Sequence, residues 1–321
     1  GTVSIGDGTT AAETHIKITT LYNLIINSNA DSKLVIFRPE SSSTVTIAND
    51  LTLTRGVFYR NNVSDTLTVT GDVSIASGST LGRTNDNGAS NFGSLTINSG
   101  GTYVATSGTT TILGSSGGFA FKNEGTFTHN SGTVKIDFET SNLNSNTRIH
   151  QTGVKEINNL EIEMNRTTDE VQFSAGTGTS QGLSGNFTLT KGEAMIYTSG
   201  QHDHSFDVDG NFVVGANGTW GHLSHTGAHE FGSLTINSGG TFIATSGTTT
   251  ITNETSGGNA INNDGTFTHN KGTVKIDYDS STNLDLTGTG SVDLYNLIVD
   301  SDATVGYNTA VIENNLTKQG S

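Results

Sequence analysis

The strongest constraint on this chain is that it nearly repeats itself. Residues Phe92 to Phe138 begin FGSLTINSGGTYVATSGTTTI and end GTFTHNSGTVKIDF. Residues Phe231 to Tyr278 begin FGSLTINSGGTFIATSGTTTI and end GTFTHNKGTVKIDY. The likeness extends upstream more weakly, with TLTVTGDVSIASGSTLG from Thr66 against SFDVDGNFVVGANGTWG from Ser205, and LTLTRG from Leu51 against FTLTKG from Phe187. A shorter string, Asn or Ser followed by Leu-x-Ile/Val, recurs at Leu24, Leu95, Leu160, Leu234 and Leu297. Internal repeats therefore cover about 20–155 and 156–290, with a partial third copy at 291–321. Each copy divides into halves and then into pieces of roughly 20–25 residues, the length of one coil in a solenoid.

Within a piece, the pattern is strand and turn. Leu95-Thr96-Ile97, Thr109-Thr110-Thr111-Ile112 and Val134-Lys135-Ile136 alternate apolar with polar residues, and they are rich in the β-branched types that suit a pleated surface. Between them lie Asn98-Ser99-Gly100-Gly101, Ser116-Gly117-Gly118 and Asn130-Ser131-Gly132, which are turn formers. No stretch carries helical periodicity. Only 31% of residues are hydrophobic, against 41 glycines, one proline and no cysteine. A chain this poor in large apolar residues does not fill a string of sandwich cores. It does suit a parallel solenoid, in which each strand gives one or two inward residues to identical neighbours. The expected fold is all-β, a right-handed parallel β-solenoid (β-helix) of about 14 coils, running through 1–321 as one continuous body with no substantial helix. Period-2 alternation places Leu95, Ile97, Leu234 and Ile236 on the inward face as one type of ladder, with Phe127 and Phe267 in another.

Composition also excludes functions. Fifteen Lys and Arg against 30 Asp and Glu leave a formal charge of −15, with no basic cluster to displace counterions, so nucleic acid is not an expected partner. No apolar run is long enough for a membrane helix, so no membrane insertion is expected. The absence of cysteine removes disulfides, Cys-ligated zinc and a Cys nucleophile. The chain opens Gly1-Thr2-Val3, so any targeting segment is expected to be absent or already removed.

The strings LTINSGGT, ATSGTTTI and GTFTHNSGTV resemble the tandem β-solenoid repeats of bacterial adhesin stalks and virion tail fibres. That resemblance covers nearly the whole chain. It implies a non-enzymatic structural or adhesive rod at a cell or virion surface, with no cofactor and with a cell-surface glycan or protein receptor as partner. Self-association, or continuation of the same chain, is expected at the solenoid ends, where strand edges invite pairing. The alternative is a carbohydrate-active β-helix, a tailspike-like polysaccharide hydrolase or lyase.

Three sets of side chains bear on that choice. His202, His204, His222 and His225 fall close together, with His229 nearby. His202-x-His204 points both rings to one strand face, and stacked coils could bring the four imidazoles together as a transition-metal site. The corresponding residues of the first copy are Val63, Asp65, Arg83 and Asp86, so the fold does not require these histidines. His129 and His269, equivalent in both copies, read as stacking or turn-capping residues. Asp207/Asp209, Asp277/Asp279 and Asp300/Asp302 are Asp-x-Asp pairs spaced as a glycosidase requires, without an accompanying basic group. Asn85-Asp86-Asn87-Gly88 and Asp207-Val208-Asp209-Gly210 offer oxygen ligands but no complete calcium set, and read as surface turns.

Overall fold

Short β-branched strands separated by Gly/Asn turns cannot bury a face alone, so they pair with the next coil. In the computed structural model every pairing between strands is parallel and in register over most of its length. The structure describes residues 1–6, 13–39, 44–153, 155–175, 180–196, 203–255, 257–278, 284–300, 305–307 and 310–319. The chain is a parallel β-solenoid of about 12 turns. The one helix among the described residues is the four-residue Phe138–Ser141. No helix among them is long and apolar enough to cross a membrane. The coils group into two compact units, one mainly Gly1–Leu143 and the other mainly Leu160–Ser321.

In the first unit one inward ladder runs Leu24, Leu51, Val73, Leu95, Phe121, Ile149, all buried. A second, two residues on along the same strands, runs Ile26, Leu53, Ile75, Ile97, Asn123, Gln151. A third lies on another face, with Val35, Phe58, Leu81, Tyr103 and Phe127. The second unit repeats the plan. Leu160, Phe187, Phe212, Leu234, Ile261 and Leu286 form its first ladder, with Ile236 beside Val214 and Asn263 in the next. Ala194, Trp220, Phe242 and Phe267 form the third. Outward positions are held by hydroxyls and amides. Thr46, Thr68, Asn91 and Thr111 make one row, and Thr80, Thr102 and Thr126 another.

The turn count falls short of the expected 14 because several coils are longer than 20–25 residues. From Leu24 to Leu51, and again from Phe121 to Ile149, the ladder advances by 27 and 28 positions. Strands that continue through a corner shift register there, as between Phe92 and Ser94, where Gly93 alone stands against Thr70 and Gly71 of the coil before. Gly93 occupies that corner, and a Cβ there would lie 2.5 Å from the Gly71 carbonyl oxygen of the coil before. Gly232 repeats the arrangement over Gly210 at 2.6 Å. Only glycine allows the backbones to stack this closely.

Where an inward ladder meets a turn, amides replace aliphatic groups. Asn123, stacked on Ile97, donates to the Glu156 carboxylate (2.7 Å) and accepts from Gly125 N. Asn263, stacked on Ile236, donates to the Ser291 carbonyl (2.7 Å) and accepts from Gly265 N. Both satisfy backbone groups that would otherwise be stranded at a buried corner.

Candidate functional site

The histidine-rich turn of the second unit is built on the backbone that the first unit uses for a buried ion pair. In the first unit Asp86 N donates to Arg83 O, and Asp86 O accepts from Ser107 N and the Thr106 hydroxyl. In the second, His225 N donates to His222 O, and His225 O accepts from Ser246 N and the Thr245 hydroxyl. The scaffold is the same and only the side chains differ.

His225 is fully buried, and its Nε2 donates to the Ile196 carbonyl at 3.0 Å. His222 is exposed, and its Nδ1 accepts from Ser224 N at 3.1 Å. The two rings lie 6.5 Å apart between centroids. His204 is half-buried with Nε2 3.9 Å from an Asp203 oxygen. His202 lies outside the described residues. Among the described residues, no group of three or more His, Asp or Glu is arranged to hold a metal ion. The ring that does meet His225 is His229, 5.8 Å away. His229 Nδ1 accepts from Phe206 N at 3.2 Å, which assigns the ring proton to Nε2. Burial, reinforced by His225 beside it, pushes the His229 pKa down to about 3, so the ring is neutral. Both histidines are buried, and His229 packs against Trp220 and Phe231.

His129 and His269 close equivalent turns. Each accepts through Nδ1 from the backbone two residues on, Ser131 N and Lys271 N, both at 2.9 Å. The turns they close carry positive φ at Asn130 and Ser131 and at Asn270 and Lys271. The added hydrogen bond helps to hold four non-glycine residues in a left-handed conformation.

Asp86 corrects the reading of Asn85–Gly88 as a surface turn. It is fully buried, taking a hydrogen bond from Arg83 Nε (2.9 Å) and one from Arg60 Nη2 (3.4 Å). Arg60 also donates to the carbonyls of Asp65 (2.7 Å) and Ala89 (2.8 Å). The sequence did carry a signal for this cluster. In Val57-Phe58-Tyr59-Arg60 the arginine shares the parity of Phe58, the inward parity.

Of the carboxylate pairs, Asp279 and Asp302 lie outside the described residues, as does the side chain of Asp300. Asp277 pairs with Lys275 at 2.6 Å. Asp207 and Asp209 stand on the outer face of Phe206–Trp220, and Asp207 is in register with Glu230 on the next coil. Partial burial raises the Asp207 pKa, Lys155 opposes the shift, and Glu230 and Asp209 add to it. Lys155 ion-pairs with Asp209. Its stem crosses Gly182, where a Cβ would sit 3.1 Å from Lys155 Cγ. The sequence hid this basic partner because Lys155 lies far from Asp209 along the chain.

Comparison with protein-family models, with curated proteins and with solved structures finds no match.

Proposed function

We propose that this chain is a non-enzymatic structural and adhesive rod of an extracellular surface protein or virion fibre, giving reach and contact with a cell-surface glycan or protein receptor. The observation that carries the reading is the uniformity of the outward rows. Thr46, Thr68, Asn91 and Thr111 on one face, and Thr219, Thr241 and Thr266 on another, repeat a small uncharged polar group over three or four successive coils, with Lys135 ending the first row and Glu193 opening the second. Neighbouring coils are ~4.8 Å apart, so the rows make a regular hydrogen-bonding surface. Self-association through the strand edges of the solenoid belongs to the same proposal. Incubation with a panel of bacterial polysaccharides, read by reducing ends, tests the reading. It expects no turnover, and turnover above a heat-denatured control would overturn it.

A second reading, a carbohydrate-active β-helix, draws on Asp207 and Glu230. Parallel neighbours set these two carboxyl-bearing positions ~4.8 Å apart along the ladder, close to the ~5 Å of a retaining pair. Partial burial raises the Asp207 pKa, the direction that a general acid requires. In this case the same assay shows turnover, and Asp207→Asn abolishes it.

A further inference from the structure

Of the six arginines in the chain, five are engaged. Arg55 pairs with Asp31, Arg60 and Arg83 with Asp86, Arg166 with Asp169, and Arg148 lies over the Phe119 ring at 5.1 Å. Arg38 differs. It is exposed, and among the described residues its guanidinium has no ion pair, hydrogen bond or ring partner. It opens onto a pocket of about 400 Å³ lined by His15, Lys17, Arg38, Pro39 and Asn61.

The ladder explains why these groups converge. Arg38 N donates to Ile16 O, and Asn61 N donates to Phe37 O, each at 2.8 Å. Those bonds carry the register of Glu13–Ile16, Leu34–Phe37 and Leu51–Arg60 one position further. Lys17, Arg38 and Asn61 therefore stand on successive coils at the same point of the turn. In a chain with a net charge of −15, two cations, an imidazole and an amide share one recess. Among the described residues, Glu13 meets the His15 ring at 3.3 Å, and Lys17 also has a partner, which leaves the Arg38 guanidinium as the group that opens onto the recess.

We propose that this recess binds an anionic group, a carboxylate or sulfate, carried on an acidic polysaccharide. The arginine fork supplies two parallel donors to a planar or tetrahedral oxyanion, and lysine adds a point charge. The volume falls within the roughly 300–1,000 Å³ of small-ligand pockets. The lining is donors and one proline ring, with no large aliphatic or aromatic anchor, which suits a hydroxylated sugar acid better than the apolar side chains of an acidic peptide. The saccharide assignment rests on the adhesive reading above, and the anion site itself does not.

Binding of the full chain to polygalacturonate, dextran sulfate, neutral dextran and poly-glutamate separates the cases. The expected result is salt-sensitive binding to at least one acidic polysaccharide and none to neutral dextran. Arg38→Gln should weaken binding roughly tenfold, as expected for loss of a charge-assisted fork. Arg38→Lys should restore part of the loss. Lys318→Gln, which removes an exposed cation of the other unit, should leave binding within about twofold. Circular dichroism checks that each variant is folded. No preference for acidic polysaccharide over neutral dextran would overturn the proposal. Equal losses for Arg38→Gln and Lys318→Gln would do the same, since only bulk charge would then be acting. Equal, Arg38-dependent binding of poly-glutamate would make the ligand an acidic peptide and end the saccharide assignment. Polysaccharide turnover would defeat the non-enzymatic reading while leaving the anion site standing, so the two failures are distinguishable.

Discussion

The two units solve one interior problem in opposite ways. At equivalent points of the repeat the first unit buries Arg60, Asp86 and Ser90, and the second buries Ile196, His225 and His229. The backbone bonds of the turn are the same in both. Around them the core changes in step. Leu67, Val73 and Leu81 of the first copy become Phe206, Phe212 and Trp220 in the second, where the Phe212 and Trp220 rings meet at 4.8 Å. A charged pair needs polar partners for every donor, and Arg60 finds them in two backbone carbonyls and a carboxylate. A neutral imidazole needs fewer, and tolerates an aromatic wall. The scaffold thus fixes where a buried polar group sits and leaves its chemistry open, provided that group and surroundings change together.

The comparison breaks most severely if one partner is removed from the ion pair. Asp86→Ala strands Arg60 in the interior and should cost the first unit about 3–5 kcal/mol, as should Arg60→Met in reverse. Urea unfolding of each variant measures it. The combined change Arg60→Ile, Asp86→His and Ser90→His copies the second unit's residues and should cost less than Asp86→Ala alone, because the buried guanidinium goes with its carboxylate and only half-buried Arg83 loses a partner. A triple variant less stable than Asp86→Ala would show that the two clusters are not interchangeable solutions.

Next in size are the ladders the units share. Leu95→Ala and Leu234→Ala each open a cavity between two neighbouring coils and should cost roughly 2–4 kcal/mol. Similar losses in both support one inward register, and a loss in only one copy would divide them. His129→Ala removes the acceptor that closes a left-handed turn, a loss of about 1 kcal/mol by thermal unfolding. His269→Ala should match it. Smallest is Thr96→Ala, on the outward side of the strand that buries Leu95, at well under 1 kcal/mol. A cost equal to that of Leu95→Ala would reject the face assignment.

Much of this was legible in sequence because solenoid coils repeat. Leu95-x-Ile97 and Leu234-x-Ile236 declared their face by parity, and the Thr rows followed from the same alternation. The coil length was not legible, since it ranges from 22 residues between Val73 and Leu95 to 28 between Phe121 and Ile149, and local alternation does not count the turn residues between strands. Nor was the ion pair. Asp86 sits among Asn and Gly and reads as a turn, and Arg60 meets it only when one coil stacks on the next. Spacing along the chain does not show that His225 turns inward while His222, across a tight turn, stays in solvent. The parity that His229 shares with Phe231 does place it inward, beside His225.

The most direct test of interchangeable interiors on one scaffold is an acid titration followed by the fluorescence of Trp220, the one tryptophan of the chain, which lies 6.2 Å from His229. The His229 pKa falls from an ordinary 6.5 in the unfolded chain to about 3 when folded. Below pH 6.5 the unfolded state therefore takes up a proton that the folded state refuses. Stability contributed by the neutral ring is complete above pH 6.5 and is lost as pH falls toward 3, by about 1.4 kcal/mol per pH unit for one proton. The account predicts that the urea midpoint reported by Trp220 drops through this window, and that His229→Phe flattens the drop. A Trp220 midpoint with the same pH dependence in His229→Phe as in the parent chain would contradict it.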